Sequence, residues 1–382
     1  MSVTEYQIET DTEVAIIGAG PIGLELAANL KHAGVDYQHF DAAEIGHTMT
    51  WYPRRTPFFS SPDRIAIAGV PLNTTDQRKA TGEQYLAYLR GVVEQFDLPI
   101  HTFHRVEAIR PISSDSDSGS DSTSNTGFQL DIVSQRGRTV CNARKVVVAI
   151  GDMHHPRRLD IPGENLPHVS HYFDDPHRYF RKKLVIVGGR NSAVEAAIRC
   201  QRIGADVTLS YRGDTFDAAS VKYWILPEIR WLIDQGRIHW LPHTQPTRIT
   251  QSDVQFTTSP VDAKLASADD PTTTIAADFV LLLTGYVMDA TLLSAAGVTL
   301  AGENQAPAFN FDTMETNVPG LFVAGTAAAG TQHRFKLFIE NCHPHVVKIT
   351  RALTGGDPLH INPLGFTRLD EREWKPDLQP ES

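Results

Sequence analysis

The chain has 382 residues, a net charge of −10 and a pI near 5.9. This length is enough for two domains with their own cores, and the acidic balance argues against a nucleic-acid partner. The apolar runs are too short to cross a bilayer, and Met1–Tyr6 lacks the basic flank and apolar core of a secretory signal. Because three cysteines indicate no disulfide framework, we expect a cytoplasmic protein without nucleic-acid or membrane partners.

The first predicted unit is a strand, a glycine-rich turn and a helix. Residues 13–17 have the pattern of a buried parallel strand, and Gly18, Gly20 and Gly23 follow it as a GxGxxG motif. The first glycine makes the turn, the second lets the backbone approach a pyrophosphate, and the third lets the helix pack on the strand. A second strand ends at Asp41, whose carboxylate can accept hydrogen bonds from ribose hydroxyls. These four residues predict a dinucleotide site.

A long segment without either secondary-structure period follows this unit. Residues 45–63 are rich in aromatic residues and prolines, and a loop of this length inside a compact domain is usually functional. We expect it to lie along the ring system of the first cofactor, with Trp51, Tyr52 and Phe59 as candidate walls.

The next segment contains an acidic low-complexity stretch. Residues 113–127 cannot bury apolar surface, which predicts a mobile hairpin loop without chemistry. Around it the pattern predicts a small antiparallel sheet, with strands Val106–Pro111, Phe128–Val133 and Thr139–Cys141. A separate buried strand from Lys145 onward ends at Gly151, which we expect to border the first cofactor.

The crossover after this strand is rich in histidine, at positions 154, 155, 168, 171 and 177. The segment lacks a helical pair of histidines four residues apart beside a carboxylate, and no cysteine is near it. We therefore predict no metal site.

The second predicted nucleotide unit begins at Lys183, where an apolar strand leads into a glycine turn and a helix. Such a helix start presents free backbone N–H groups to a phosphate. Ala193 takes the packing position of the motif, which permits alanine. Arg190 takes the position of close approach, so its side chain must turn away from the pyrophosphate or clasp it. The candidate binding residues of this turn are Gly188, Gly189, Arg190, Asn191 and Ser192.

The following strand, residues 206–210, bears on which nicotinamide cofactor the second unit prefers. It ends in Tyr211 and Arg212 rather than in an acid. A carboxylate there would repel a 2′-phosphate, whereas the guanidinium of Arg212 can bind one. The sequence therefore predicts NADPH over NADH. Lys222 is expected to be a solvated lysine.

Two later strands end at candidate binding residues. One ends at Gly285 and closes the second unit, and the other ends at Gly325 and Thr326. We expect Gly285 to border the second cofactor, and Gly325 and Thr326 to border the first. A helix is predicted over residues 335–353, and the proline-rich tail after Pro358 is expected to lie on the surface.

Two phosphate-binding turns on one chain indicate two dinucleotides, and hence a flavoprotein that draws electrons from a nicotinamide. The predicted fold class is α/β, with two Rossmann-like, three-layer ββα domains, the second inserted in the first. We place an FAD-binding domain at residues 1–168 and 300–382 and an NADPH-binding domain at residues 169–299.

Several short motifs are spread along nearly the whole chain. They are Gly18–Gly23, Phe58–Pro62, Val169–Tyr172, Gly188–Ala193, Tyr211–Gly213, Lys222–Glu228, Val323–Gly325, Phe338–Asn341 and His345. In these motifs the chain resembles the flavoprotein reductases of thioredoxin-reductase architecture, and more narrowly the bacillithiol disulfide reductase family. The resemblance implies FAD, NADPH and electron flow from hydride to flavin to a low-molecular-weight disulfide. We also expect a homo-oligomer whose acceptor is a small molecule or a small protein.

Two positions depart from the pattern of that family. It carries a cysteine, proposed as its redox thiol, immediately before the third glycine of the first motif, where this chain has Ile22. In related flavoproteins an aspartate after the last glycine of the returning strand binds FAD, whereas here Thr326 carries no charge. Flavin reduction survives the loss of the cysteine, because the cofactors carry that chemistry. The first change bears on the disulfide step.

Cys342 is the candidate replacement for the missing thiol, because a cysteine near a helix start has a stabilised thiolate. His345 or His343 would protonate the leaving thiolate. Cys141 and Cys200 fit strand and helix interiors and are expected to be structural.

Three other functions are compatible with two dinucleotide sites. A flavin-dependent monooxygenase also pairs FAD with NADPH and would consume oxygen. A ferredoxin or flavodoxin reductase needs no cysteine and would reduce a one-electron carrier. A redox sensor would hold FAD without turnover, so NADPH would not bleach its flavin.

Overall fold

The structure is a computed structural model and describes residues 8, 10–112, 127–218, 220–258, 272–333 and 337–359. The predicted hairpin loop at 113–127 lies outside these residues except for Gly127. The predicted surface tail lies outside them beyond Leu359. Within the described ranges, no helix has the length and apolarity needed to cross a membrane.

Each half of the chain begins with a strand–helix–strand unit. In chain order the strands are β1 (Asp11–Ile17), β2 (Tyr37–Phe40), β3 (Arg105–Ile112), β4 (Gly127–Ser134), β5 (Gly137–Val148), β6 (His155–Pro156), β7 (Val169–Ser170), β8 (Lys183–Val187), β9 (Asp206–Ser210), β10 (His239–Leu241), β11 (Thr244–Ile249), β12 (Asp253–Thr258), β13 (Thr272–Ala276), β14 (Phe279–Leu282), β15 (Tyr286–Val287), β16 (Leu300–Ala301), β17 (Ala306–Pro307) and β18 (Leu321–Val323). The helices are α1 (Pro21–His32), α2 (His47–Thr50), α3 (Pro62–Ile65), α4 (Gly82–Phe96), α5 (Asn191–Arg202), α6 (Leu226–Asp234), α7 (Thr291–Ala295) and α8 (Ile339–Thr354), with short 3-10 helices at Pro176–Tyr179 and Gly325–Ala329. The strand–helix–strand units are β1-α1-β2 in the first half and β8-α5-β9 in the second.

The chain folds into two compact units. The first contains residues 10–50, Arg55–His155 and residues 287–359, and the second contains Trp51–Arg54 and Pro156–Tyr286. Most of the second unit is therefore one insertion in the first, in agreement with the predicted fold class.

The limits of the inserted unit differ from the predicted boundaries at 168/169 and 299/300. Residues 156–168 pack within the second unit: the Ile249 N–H donates to Pro162 O at 2.8 Å, and a Cβ on Gly163 would lie 1.9 Å from Ile249 O. At the other end, α7 packs against β3 of the first unit. The sequence of the crossover has no helical or strand period, so these contacts were not visible in it.

The second unit has three layers. Its central sheet is parallel, in the order β10-β9-β8-β14-β7. On β8, Leu184 and Ile186 pack against α5 and α6, while Val185 and Val187 face the antiparallel sheet β11-β12-β13. Because both faces of β8 are covered, its sequence is a continuous apolar run. This confirms the predicted ββα layering for this unit.

The first unit has a mixed sheet in the order β2-β1-β5-β4-β3, with β18 beside β5. β5 is a single strand of 12 residues, which pairs antiparallel with β4 and parallel with β1 and β18. The prediction of two separate strands, at Thr139–Cys141 and from Lys145, was therefore wrong. Alternate burial continues through Cys141 and Ala143 into the parallel half, so nothing interrupts the strand.

The helix predicted over residues 335–353 begins later, at Ile339, and contains Pro344. Pro344 is the sixth residue of this helix, so its missing N–H removes the helical bond to the Glu340 carbonyl, and the helix nevertheless continues to Thr354.

A buried ion pair joins α8 to α1. Nδ1 of His343 lies 2.7 Å from Oε2 of Glu25, whose side chain is fully buried, and Nε2 of His343 donates to Arg64 O at 2.9 Å. Burial disfavours the imidazolium, but the Glu25 carboxylate outweighs it and, with Arg64 O and Glu340, raises the pKa of His343 to about 9.

We expect this pair to make the stability of the protein depend on pH. The pKa of His343 is about 9 in the folded protein, against 6.5 for an ordinary histidine. Its stabilisation is therefore complete below pH 6.5 and is lost as the pH rises through 9. The loss is on the order of 3 kcal/mol. Urea unfolding at about pH 6 and about pH 9.5 measures it. His343→Gln should remove this pH-dependent part of the free energy of unfolding. If wild type and variant differ in that free energy by the same amount at both pH values, the assignment is contradicted.

Candidate functional site

Close backbone contacts shape the turn between β1 and α1. Gly18 has a φ of +110°, and a Cβ on it would lie 2.4 Å from Ala149 O. A Cβ on Gly23 would lie 1.9 Å from the Gly18 carbonyl oxygen, whereas a Cβ on Gly20 would meet no atom within 4 Å. The fold itself requires the first and third glycines. The second leaves an open backbone face at the start of α1, which suits a pyrophosphate.

Asp41 lies beside this turn at the end of β2. Its Oδ2 accepts the Ala19 N–H at 2.6 Å and its Oδ1 accepts the Ala43 N–H at 2.8 Å. Burial raises the pKa of this carboxyl despite both bonds. Each carboxylate oxygen has a further lone pair, so Asp41 can bind a ribose hydroxyl while it holds the turn.

Asp152 is a candidate site residue that the sequence reasoning did not select. It follows Gly151 directly, is 7% exposed, and its Oδ2 accepts the Gln332 side-chain N–H at 2.9 Å. Burial raises its pKa, and hydrogen bonds from Gln332 and Thr326 oppose that shift. The only signal in the sequence was its place after a strand-terminating glycine. A carboxyl group thus lies at the end of a neighbouring strand.

Gly325 and His345 form the opposite side of the same region. Gly325 has a φ of +70°, and its N–H donates to Nδ1 of His345 at 3.2 Å. A Cβ on Gly325 would lie 3.5 Å from Cβ of Ile22, so Ile22 lies against this turn. Burial lowers the pKa of His345 to about 3. The ring is neutral near pH 7 and accepts a backbone hydrogen bond, which suits a positioning role better than general-acid catalysis.

The Cys342 thiol does not have the environment expected from its place near a helix start. Its side chain is 0% exposed, and burial, with Asp152 and Glu25, raises its pKa well above the usual value. The expectation of a stabilised thiolate is therefore wrong. Cys141 and Cys200 are also fully buried, and burial raises the pKa of Cys200 to about 12.

The second turn, between β8 and α5, repeats the first with a different side-chain set. Gly188 has a φ of +145°, and a Cβ on it would lie 2.5 Å from Leu283 O. The ring of Tyr211 covers Gly189, and a Cβ on Gly189 would lie 2.3 Å from that ring. Arg190 is the N-cap residue of α5 and makes no side-chain capping bond. Ser192 is exposed in the first turn of that helix.

Lys222 is not the solvated lysine that the sequence predicts. It is 6% exposed, and its Nζ lies 3.0 Å from Oε2 of Glu195 on α5. Its backbone N–H donates to Oδ1 of Asn191 at 2.6 Å. Two residues of the helix that follows the turn therefore hold Lys222, and the Asn191 amide oxygen serves this contact.

Three arginines cluster near the second turn. The Arg157 backbone N–H donates to Gly285 O at 2.9 Å. Gly285 follows Leu283, whose carbonyl oxygen lies against Gly188 in the turn. Burial lowers the pKa of Arg157, and the charges of Arg212 and Arg190 lower it further. Among the described residues, no carboxylate forms an ion pair with any of the three. We call Arg157, Arg190 and Arg212 the guanidinium cluster; its unbalanced positive charge suits phosphate groups.

The residues proposed as walls of the first cofactor lie in different units. Phe59 belongs to the first unit and is half exposed, whereas Trp51 and Tyr52 belong to the second. Trp51 contacts Tyr172 and Tyr286, with ring centroids 5.6 and 6.2 Å away.

Two of the crossover histidines each lie near one carboxylate. Nε2 of His171 lies 3.3 Å from Glu164, and Nε2 of His155 lies 3.8 Å from Asp289. The described part of the chain contains no group of three or more potential ligands from His, Cys, Asp and Glu that could hold a metal ion.

The predicted cofactor-binding residues thus form two groups. Gly18, Gly20, Gly23, Asp41, Gly151, Gly325 and Thr326 come together in the first unit, and the second contains Gly188, Gly189, Arg190, Asn191, Ser192, Arg212 and Gly285. The structure adds Asp152 to the first group and Arg157 to the second.

Comparison with known proteins gives consistent matches. The family model described as pyridine nucleotide-disulphide oxidoreductase matches residues 15–325. Bacilliredoxin reductase Bdr of Bacillus subtilis is 36% identical over 331 residues, which cover 86% of this chain and 94% of that protein. The bacillithiol disulfide reductase structure from Bacillus cereus is 33% identical, with a TM-score of 0.80 over 90% of this chain and 99% of the other. Thioredoxin reductase of T. acidophilum, at 18% identity and a TM-score of 0.67 over 91% and 99% of the two chains, shares the fold.

Gly20 offers a way to separate cofactor binding from folding. We expect Gly20→Ala to fold normally, because its added Cβ meets no protein atom within 4 Å. We also expect it to lose most of its FAD, because the methyl group occupies the face that the pyrophosphate approaches. Flavin absorbance per protein and a thermal unfolding curve measure the two effects. Gly91→Ala, at another open glycine of the first unit, is the matched control. A yellow Gly20→Ala protein with full flavin content would overturn this assignment.

Proposed function

The chain belongs to the pyridine nucleotide-disulphide oxidoreductase family, and on that premise we propose that it reduces a low-molecular-weight disulfide of the bacillithiol type at the expense of NADPH. Family membership confirms the predicted enzyme class, an FAD-containing NAD(P)H-dependent oxidoreductase. The relatives named for bacilliredoxin and bacillithiol disulfide reduction, with nearly full coverage of both chains, are the observation that supports the acceptor.

When bound, FAD and NADPH supply the redox chemistry, and overall one NADPH and one proton convert one disulfide to two thiols and NADP⁺. The residues of the chain bind and orient. We propose that the open turn at Gly20 receives the FAD pyrophosphate and that Asp41 accepts a ribose hydroxyl. Asp152 and Thr326, whose side chain is close enough to lower the pKa of Asp152, would hold the part of the flavin cofactor next to Gly325. His345 fixes that turn through its bond to the Gly325 N–H.

Reduction of the disulfide can be tested directly. Anaerobic protein should oxidise one NADPH per bacillithiol disulfide, and faster than with glutathione disulfide, oxygen or an oxidised ferredoxin. Bleaching of the flavin by NADPH, followed by rapid reoxidation with ferredoxin alone, would replace the proposed acceptor with a one-electron carrier. A cytoplasmic location and a homo-oligomeric state stay predictions. Cell fractionation tests the location, and light scattering tests the oligomeric state.

For the second unit we propose that the guanidinium cluster binds the phosphates of NADPH, with Arg212 on the 2′-phosphate. Arg212 follows β9, the strand next to β8 in the sheet, and in this fold class the residue after that strand lies at the adenine ribose. Arg157 and Arg190 are closer to the turn and would balance the pyrophosphate.

Arg212→Ala should raise the KM for NADPH by about 10- to 100-fold, the cost of one charge-assisted contact, and leave the KM for NADH nearly unchanged. Steady-state kinetics with both cofactors give this comparison. Arg158→Ala is the matched control, because the Arg158 guanidinium is already paired with Glu164 at 3.7 Å. An unaltered preference for NADPH in Arg212→Ala would refute the 2′-phosphate assignment.

The burial of all three cysteines bears on how electrons reach the disulfide. A thiol must be accessible and partly ionised to attack a disulfide, and Cys342 meets neither condition. We propose that the acceptor is reduced at the flavin, without a thiol of this chain as an intermediate.

Cys342→Ala should therefore leave both flavin reduction by NADPH and turnover with the disulfide within about twofold of wild type, while lowering stability by about 1 kcal/mol through the small cavity it creates. Stopped-flow reduction and steady-state turnover report the two half-reactions. If disulfide turnover alone collapses, Cys342 is a redox residue and the thiol-free route is incorrect.

A further inference from the structure

Three aromatic rings of the second unit contact one another at one edge of its sheet. The ring centroids of Trp51 and Tyr172 are 5.6 Å apart, those of Trp51 and Tyr286 are 6.2 Å apart, and those of Tyr172 and Tyr286 are 6.1 Å apart. All three residues are half-buried. We call these residues the aromatic cluster.

Backbone conformation and contacts of neighbouring residues position the segments that carry these rings. Tyr172 lies in a turn after β7, in which Oγ of Ser170 accepts the Tyr172 N–H at 3.1 Å and donates to its carbonyl at 2.8 Å. Tyr286 follows Gly285, which has a φ of +98°. The segment with Trp51 is tied to the same unit, because Arg199 donates to Arg54 O at 2.8 Å and Arg54 lies 3.5 Å from Asp174.

The cluster lies at the end of the crevice opposite to Arg212. In open parallel sheets a dinucleotide binds beyond the carboxyl ends of the strands, across the strand that carries the glycine turn. In the order β9-β8-β14-β7, Arg212 follows β9 on one side of that turn. Tyr172 and Tyr286 follow β7 and β14 on the other side. A dinucleotide whose 2′-phosphate is at Arg212 therefore directs its second base toward these rings.

We infer that the aromatic cluster of Trp51, Tyr172 and Tyr286 is the surface on which the nicotinamide ring of NADPH or NADP⁺ rests in the second unit. The inference rests on the proposed NADPH site and adds the position of the reactive ring, for which the sequence contains no motif.

The chemistry of these side chains suits such a ring. Nicotinamide is planar and becomes a cation when oxidised, and aromatic faces attract both flat rings and cations. Burial raises the pKa of Tyr286, with Tyr172 and Tyr52 adding to the shift, and burial also raises the pKa of Tyr172. Both phenols therefore keep their protons near pH 7 and remain available as hydrogen-bond donors to the carboxamide oxygen.

Two ligands that differ by the nicotinamide half test the inference. Calorimetric titration of the FAD-loaded protein compares NADP⁺ with 2′,5′-ADP, which carries the 2′-phosphate but no nicotinamide. We expect Trp51→Ala, Tyr172→Ala and Tyr286→Ala each to weaken NADP⁺ binding by about three- to tenfold, the range for loss of one aromatic contact. None should change the affinity for 2′,5′-ADP. Tyr286→Phe should restore most of the loss seen in Tyr286→Ala, because it keeps the ring.

Controls separate this inference from the proposed function. Trp231→Ala, at an exposed tryptophan of the same unit, should bind both ligands like the wild type. A thermal unfolding curve identifies any variant that fails to fold. If the wild type binds 2′,5′-ADP but every cluster variant keeps its NADP⁺ affinity, or loses affinity for both ligands equally, the inference is wrong while the NADPH site stands. If the wild type binds neither ligand, the proposed NADPH site itself is wrong.

Discussion

The constraint on which both units depend is a contact between a turn glycine and the carbonyl that follows the neighbouring strand. A Cβ on Gly18 would lie 2.4 Å from Ala149 O, just after β5, and a Cβ on Gly188 would lie 2.5 Å from Leu283 O, just after β14. No side chain fits in either place, so the chain must turn there with a positive φ. That turn directs the first N–H groups of the next helix outward, and phosphate binding follows from packing inside the sheet.

Beyond this shared contact the two turns differ in charge. The first has an open glycine, Gly20, and the Asp41 carboxylate is bonded to the turn itself. The second has Arg190 at the corresponding position, and the charges of Arg212 and Arg190 lower the pKa of Arg157. Three cations without a described counter-ion repel one another until an anion arrives. The second turn therefore has the more positive surroundings of the two.

Local patterns allowed the prediction of both turns and the fold class, because a strand, a glycine and a helix start are adjacent in sequence. Asp152, Arg157 and the place of Trp51 were missed because each depends on which strand ends lie side by side in the sheet. The error at Cys342 was one of magnitude. A helix start favours a thiolate by about 0.3–1 kcal/mol, less than one pKa unit, whereas full burial shifts a pKa by up to about 3–5 units in the opposite direction.

Sheet register also explains how the chain tolerates a threonine where related flavoproteins have an aspartate. β18 pairs in parallel with β5, Val323 opposite Val148, so the residues just after the two strands emerge at the same edge. A carboxyl group after Gly151 can therefore reach the region served by one after Gly325, and the Thr326 side chain is close enough to lower the pKa of Asp152. A sequence comparison position by position records a lost aspartate there, although the structure has a buried carboxyl group just beyond the end of the neighbouring strand.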